Sequence, residues 1–599
     1  MPQLQIMGFD GLVPRMSPTM LGDSQAQVAT NVKLYSRELR YWRGNSWVYT
    51  PAISNIQTIY KYYNSSDPAW LAWDKDVDVV RSPMTDTVDY RLYYTGDGVP
   101  KKTNAALALS GLGPYPAGWL NMGVAAPVTG PTAVRVGSAS YDVTTAETRI
   151  YVYTKVSTFG SLSEESAPSA PSLEVTVYSG DSVDLSGFPT TQQTGENVTS
   201  LRIYRSVTGA TTDSYLFVKE IPFGTATTSD TLSVAELGEV IPTLGWDAPP
   251  SNLAGLVALP NGSLAGFSGN TVYFSEPYYP HAWPTAYALN IPDRIVGLGV
   301  YAMSVVVMTD RNPYIISGSG PGSFSVERVP MLEPCVSKRS ITSDEFGVLY
   351  ASPNGMVGIG PAVRSVVTAQ LFRRDEWQAR QPSLIAGAIM DGRYFAIYPT
   401  ATGSLQAMVI SRDDIPALSN IAINATAVHV DSRTAKLYFA DATDGRIYEA
   451  DSSDLNPLSY LWKSKRFVLP HAATWSALKL DGVYSDVDQV EAYNASVQQI
   501  IDANKALFSQ PLLGAVNSVP LNSRDINGSI LQNVPPLAQI RTAKVTLYAE
   551  GTKFAELNIT SFSPVRIPAF KARDIEIQIE GNINVRSVRL ATTVSELYE

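Results

Sequence analysis

Five apolar runs recurring at nearly even spacing between Leu253 and Asp451 constrain this chain more than any other feature. They occupy residues 264–267, 305–308, 348–351, 394–397 and 437–440, and their last residues step by 41, 43, 46 and 43 positions. Each is followed by a turn and a second apolar run. The turns are Ser268-Gly-Asn270, Arg311-Asn-Pro313, Pro353-Asn-Gly355, Thr402-Gly-Ser404 and Asp444-Gly445. Gly, Asn and Asp tolerate the positive φ that tight hairpins need, so these positions read as strand connections. A period of roughly 40–45 residues is the length of one β-propeller blade. No Trp-Asp dipeptide recurs with the units, so spacing and alternation carry the reading; a large β-sandwich with regular hairpins is the alternative.

The rest of the chain is placed around that repeat. Residues 1–50 read as an irregular lead-in, with Ser24-x-x-Gln27 resembling a capping box that opens a short helix through Ala29. Residues 55–95 read as one more four-stranded unit, which gives a ring of about six blades. Between it and Leu253 lies a segment of different character, 127–245. Its strands alternate strictly (Arg149-Ile-Tyr-Val-Tyr-Thr154, Ser200-Leu-Arg-Ile-Tyr-Arg205) between Ser/Thr/Gly/Pro loops, as in an immunoglobulin- or fibronectin-like sandwich. A short helix is expected around Leu371-Phe-Arg-Arg-Asp-Glu-Trp-Gln378, within 362–380. A long one is expected over 486–508, with Ser485 as N-cap and Val490, Tyr493, Val497, Ile500, Ile501 and Phe508 on one face. Alternating strands at 543–548, 553–559, 574–579 and 585–590 close the chain. The fold class is therefore all-β: a β-propeller interrupted by a β-sandwich insert, plus a C-terminal β domain with one long helix. The domains run 1–126 (lead-in and first blade), 127–245 (insert), 246–462 (main repeats) and 463–599.

Composition narrows function by exclusion. The 599 residues carry a net charge of −10, which argues against salt-dependent wrapping of nucleic acid, since that needs a basic face. Thirty-two Tyr against three His and one Cys suit a structural all-β protein better than a metabolic α/β enzyme. A lone Cys335 excludes an intrachain disulfide, fits folding in a reducing cytosol and reads as a small buried hydrophobe. The N-terminus lacks the features of a secretory signal, and no apolar run has the length of a membrane helix.

Catalytic chemistry should appear as converging nucleophile, base and orienting groups. The three histidines, His281, His429 and His471, have no metal-ligand spacing, and no nucleophile elbow, Walker loop or zinc-protease motif is present. Asp74-Lys-Asp-Val-Asp78 imitates the start of a calcium loop but lacks the Gly at position six and the Glu at position twelve, so a solvated acidic turn is the simpler reading. The chain is read as non-enzymatic, with no cofactor or metal. The small basic spots, Arg373, Arg374 and Arg380 around Trp377 and Lys463-Ser-Lys-Arg466, read as intersubunit or intrachain salt-bridging groups, with a phosphate contact as the alternative.

Several stretches carry a family likeness: Tyr93-Tyr-Thr-Gly-Asp-Gly98, Asn121-Met-Gly-Val-Ala-Ala-Pro127, Tyr273-Phe-Ser-Glu-Pro-Tyr-Tyr-Pro-His-Ala-Trp-Pro284, Leu371 to Gln378, and Trp462-Lys-Ser-Lys-Arg-Phe467. With the insert ending at Ala235-Glu-Leu-Gly-Glu239, the order resembles the tail nozzle (tail tubular protein B) of short-tailed bacteriophages. That family is related to the hub proteins that stabilise packaged DNA. The resemblance implies a virion protein assembled in the host bacterial cytoplasm. It further implies a homo-hexameric ring beneath a tail adaptor (tail tubular protein A-like) and the portal. Such a ring holds back packaged DNA and conducts it on ejection; in some members it carries tail fibres. Six copies at −10 each carry −60, a field that lets a phosphate backbone slide instead of sticking. Candidate channel or gate positions are Ser317, Gly318, Gly320, Gly322, Asp391 and Gly392. Candidate subunit or adaptor contacts are Arg373, Arg374, Trp377, Tyr493, Val497 and Ile501. The alternatives are a propeller glycan hydrolase or depolymerase and a glycan-binding tail module.

Overall fold

A computed structural model describes residues 3–598, apart from 65–67, 85–87, 139–140, 208–213, 412–416, 485–486, 510–533, 536 and 538–540. Most of the described chain is antiparallel sheet, and its centre is a closed β-propeller. Blade 1 is a two-stranded hairpin, Thr58–Tyr62 with Ala69–Trp73. Blade 2 is Asp78–Arg81, Leu92–Thr95, Lys101–Thr103 and Leu120–Asn121. Blade 3 runs from Ala254–Ala258 to Leu289–Asn290, blade 4 from Ile295–Tyr301 to Ser325–Arg328, and blade 5 from Thr342–Asp344 to Arg364–Val366. Blade 6 runs from Ala386–Met390 to Leu418–Ile421, and blade 7 begins with Ala425–Asp431. The first strands of neighbouring blades lie side by side from blade 2 through blade 7 and on to blade 1. The last gap closes where the Thr58 hydroxyl accepts from the Val77 N–H at 3.0 Å and donates to the Lys75 carbonyl at 2.8 Å. Among the described residues the ring thus has six blades of four or five strands and a seventh abbreviated to a hairpin.

Each repeat seen in the sequence corresponds to the second and third strands of a blade. Those strands are covered by neighbours on both faces, which is why they read as unbroken apolar runs with no alternation. Val305, Val306, Val307 and Met308 are each 0% exposed. The first strands face the bore on one side and carry more Gly and polar residues, so they escaped the periodicity. Residues 55–95 are not one blade, as expected, but parts of two. Ala69–Trp73 pairs back on Thr58–Tyr62, and Asp78–Arg81 starts a new sheet with Leu92–Thr95.

The N-terminal segment is the largest departure from the sequence reading. Ala26–Thr30 is a strand, not a helix: it pairs with Tyr460–Ser464, and the Gln27 side chain donates to the Ser464 carbonyl (2.8 Å) instead of capping a helix. Arg40–Tyr49 then supplies the fourth strand of blade 7, pairing with Ile447–Leu458, so the ring is sealed by the start of the chain lying on its end. Leu4–Met7 pairs with Asn584–Ala591. The N-terminal residues therefore belong to the C-terminal domain and to blade 7, not to a separate lead-in.

The C-terminal domain is built on two long bent strands, Phe467–Val483 and Val565–Gly581, which also pair with Asn584–Ala591, Tyr460–Ser464 and Ala543–Ala549. It continues through Ala26–Thr30 into the outer edge of blade 6, and one apolar core runs from Trp462, Trp475 and Ile577 to Tyr394, Met408 and Trp377. The insert is a two-sheet sandwich. Thr132–Val136, Ser182–Ser186 and Thr227–Asp230 face Leu162–Glu165, Tyr151–Phe159, Val198–Ser206 and Tyr215–Pro222 around Tyr153, Leu185, Leu201 and Ile203. Among the described residues the α-helices are Arg374–Gln378 and Val487–Ser509, besides a single turn at Ala105–Ala108; the expected N-cap Ser485 and the burial of Phe508 fall outside the described residues.

Candidate functional site at the propeller axis

All inner strands run the same way, so one end of the bore is where they begin and the other is where they finish. Lys338 and Arg339 occupy the beginning end, from the turn that precedes blade 5. Lys338 Nζ lies 2.8 Å from Asp78 Oδ2 and 3.3 Å from Asp76 Oδ2, across the bore on blade 2. Asp78 also accepts from the Gly255 N–H (3.0 Å) and the Thr95 hydroxyl (3.2 Å), joining blade 3 to the cluster. Arg339 donates to the carbonyls of Gln57 (2.9 Å) before blade 1 and Thr426 (2.5 Å) in blade 7. Two consecutive side chains thus tie blade 5 to blades 1, 2 and 7. A cavity of about 260 Å³ lies beside them, lined by Asp78, Gly255, Leu298, Lys338 and Ser343.

Electrostatics at this end are those of a locked cluster. Burial alone would lower the Lys338 pKa, but Asp78 and Asp76 override it and hold the ammonium above its ordinary value. Burial pushes the Asp78 carboxyl up against the attraction of Lys338. The Asp74-to-Asp78 stretch is therefore not a plain solvated turn: two of its carboxylates anchor the axis. Among the described residues no group of three or more His, Cys, Asp or Glu could hold a metal ion.

A larger cavity lies elsewhere, in a groove of about 700 Å³ between blades 5 and 6, lined mainly by Phe346, Leu349, Met356, Val363, Val366 and Ile410. Its walls include Gly392 and the first turn of blade 5, placing it on the face where the inner strands finish. Phe346 is 59% exposed at its rim.

The candidate gate positions divide. Asp391 (φ 50°) and Gly392 (φ 70°) form a two-residue hairpin turn between paired Met390 and Arg393. Such a primed turn has no slack to swing. Ser317 ends the third strand of blade 4, paired with Ser325, and Gly318, Gly320 and Gly322 lie on the connection to the fourth strand, at the outer rim and away from the bore. Pro321 is buried there, and the Ser323 hydroxyl donates to the Gly320 carbonyl (3.0 Å).

Of the candidate contact residues, Arg373 and Arg374 are exposed. Trp377 is not available: it is 0% exposed, and its indole N–H donates to the Ser352 carbonyl at 2.8 Å. An amphipathic five-residue helix buries its aromatic face first, and that face meets blade 5. Val497 is likewise buried, whereas Tyr493 is 42% exposed and Ile501 partly so. The stretch 463–466 forms intrachain pairs, Lys463–Glu576, Lys465–Asp23 and Arg466–Asp574, at 2.5, 2.9 and 2.7 Å. Cys335 is buried beside Tyr350, and burial pushes its thiol up to about 12. No spacing rule in the sequence points to the axial cluster, because its acidic half, Asp76 and Asp78, and its basic half, Lys338 and Arg339, lie about 260 positions apart.

His429, on the inner strand of blade 7, packs on Tyr60 and Trp70. Burial lowers its pKa to about 4. A histidine protonated more easily when unfolded destabilises the fold as pH falls, from its ordinary value near 6.5 down to about 4. The loss over that window is about 3 kcal/mol. Urea midpoints at pH 7 and pH 4.5 should converge for His429→Gln relative to the parent chain; an equal drop in both would exclude this residue as the source.

No protein-family model matches the chain, and no curated protein matches it. Among solved structures, BBS1N in complex with ARL6DN aligns at 9% identity over 45% of this chain and 86% of that one, with a TM-score of 0.23. Hsv2 of Kluyvelomyces marxianus aligns at 9% identity over 51% and 90%, with a TM-score of 0.23. The AfRom2 CNH domain aligns at 12% over 47% and 93%, again at 0.23. Likenesses this distant carry no statement about function.

Proposed function

We propose that this chain is the tail-nozzle subunit of a short-tailed bacteriophage, a virion protein that assembles as a hexamer beneath a tail adaptor. In this reading the hexamer forms a conduit for DNA during ejection. The observation that carries the non-catalytic part of the reading is the locked axis: Asp76 and Asp78, which a propeller hydrolase could use as paired carboxylates, are both engaged by Lys338. A bore crossed by Lys338 and Arg339 is also no passage for a duplex, so the conduit of this proposal lies between subunits and not through any one propeller. The large cavity supports the same reading, since its walls are apolar surface suited to protein contact. No helix among the described residues is long and apolar enough to cross a membrane. The sequence likeness to the nozzle family supplies the rest.

Native mass spectrometry and negative-stain imaging of the full chain mixed with the neighbouring adaptor test the proposal. Six-fold rings with a central opening are expected. A chain that stays monomeric and ignores the adaptor would refute it. Duplex DNA should show negligible affinity at physiological salt, about 0.15 M; tight binding would overturn the sliding conduit.

A further inference from the structure

At the finishing end of the bore, the inner strands of blades 7, 1 and 2 converge on one aromatic ring. Arg433, in the turn after the inner strand of blade 7, lies over the Tyr63 ring with Cζ 4.1 Å from its centroid. Arg81, the last residue of the inner strand of blade 2, has Cζ 5.4 Å from the same centroid and donates to the Tyr60 hydroxyl at 3.1 Å. Lys61 Nζ is 5.3 Å away. Asp431 is committed to the layer beneath: it accepts from Lys61 (3.2 Å), Thr434 (2.7 Å), the Arg433 N–H (3.0 Å) and the Tyr63 hydroxyl. Burial alone would raise its pKa, but those donors hold it well below the usual carboxylate range. The neighbouring Lys436 and Glu449 pair with each other at 2.6 Å.

The charges do not cancel. Lys61 is matched by Asp431 and Lys436 by Glu449, while Arg81 and Arg433 have no carboxylate partner among the described residues. Two guanidiniums are thus held about a tyrosine whose hydroxyl is already tied down, in a chain that is negative overall. Across the mouth, Asp344 ends the inner strand of blade 5 and Asp391 lies in the turn after the inner strand of blade 6, so carboxylates stand on the side away from the two guanidiniums. Planar guanidiniums fixed by stacking keep their N–H edges available in the geometry that suits a tetrahedral oxyanion.

We propose that Arg81 and Arg433, arranged about Tyr63, bind a single phosphoryl group at this end of the propeller axis. The proposal does not depend on the assembly proposed above. Two cations suffice for one phosphate group but not for a duplex, which needs an extended basic face.

Titration calorimetry of the full chain with inorganic phosphate and with pyrophosphate, at constant ionic strength, tests it. Saturable binding of one anion per chain is expected, weakened at least tenfold in Arg433→Gln and in Arg81→Gln. Arg364→Gln, remote on blade 5, should leave it unchanged. Arg433 lies on an exposed turn, so its substitution separates loss of the site from loss of the fold. No saturable heat, or binding that survives in the double variant, would overturn the proposal. A short oligonucleotide with and without a 5′-phosphate distinguishes the source. Preference for the phosphorylated form assigns a nucleic-acid end, and equal indifference to both, with pyrophosphate bound, assigns a small phosphorylated solute.

Discussion

A chain lacking residues 1–50 is expected to be unable to reach a folded state. The deletion strips the fourth strand from blade 7, the Leu4–Met7 edge from the C-terminal domain, and the Ala26–Thr30 staple that joins that domain to blade 6. It also empties the core of Phe9, Leu12, Leu21, Val32, Leu39 and Trp42, each buried. Fully burying a side chain of this class is worth about 1.5–3 kcal/mol, so six of them together rival the whole 5–15 kcal/mol by which a domain is typically stable. Circular dichroism and limited proteolysis of the truncated chain should show loss of the cooperative transition. A truncated chain that melts within a few degrees of the parent would refute the closure described here. Point substitution should follow at smaller scale: Trp42→Ala is expected to cost about 3–5 kcal/mol.

The second large effect is expected at the junction between the insert and the ring. Lys102 of blade 2 and Glu164 of the insert form an ion pair whose side chains are 2% and 1% exposed. Lys102 also lies over the Phe159 ring at 4.9 Å, and His281 from blade 3 stands 4.0 Å from Glu164. Glu165, next in sequence, is satisfied separately by Thr154, Tyr204 and Arg202 at 2.6, 2.6 and 2.7 Å. Lys102→Met would leave the Glu164 charge buried without its partner, a loss of about 3–5 kcal/mol. Removing both charges in Lys102→Met/Glu164→Leu should restore most of it, because two buried charges lose as much in desolvation as they gain from each other. Equilibrium unfolding of the two variants decides the matter; a single variant costing less than about 1 kcal/mol would mean that water already reaches the pair.

The fold could be read from sequence wherever burial on two faces produces apolar runs at a fixed period. That is why the second and third strands of blades 3 to 7 were visible, as were the alternating strands of the insert and of the C-terminal domain. It failed where pairing is remote. Ala26 and Ala29 sit in a strand only because Tyr460–Ser464 lies alongside, and Ser24-x-x-Gln27 carries no trace of that partner. The split of residues 55–95 was hidden for a similar reason, since the break between Trp73 and Asp78 looks like any hairpin turn until the neighbouring strand is known. Trp377 shows the limit for surface prediction: an aromatic among arginines suggests a contact, but a five-residue helix has one apolar face and its own blade takes it. The axial cluster of Asp76, Asp78, Lys338 and Arg339 could not be found by any local rule, because a ring brings together residues from every blade.

The sealing of blade 7 by Arg40–Tyr49 has a consequence for how this protein is made. The ribosome delivers that strand roughly 400 residues before its mate, Ile447–Leu458. At about 5–20 residues per second the early strand spends some 20–80 s without the edge it is built for. During synthesis the nascent polypeptide therefore carries a ready β-edge, with Trp42 and Trp47 on it, that another copy on the same messenger could capture. Faithful production of the wheel depends on keeping that first-made ribbon unclaimed until the last spoke emerges.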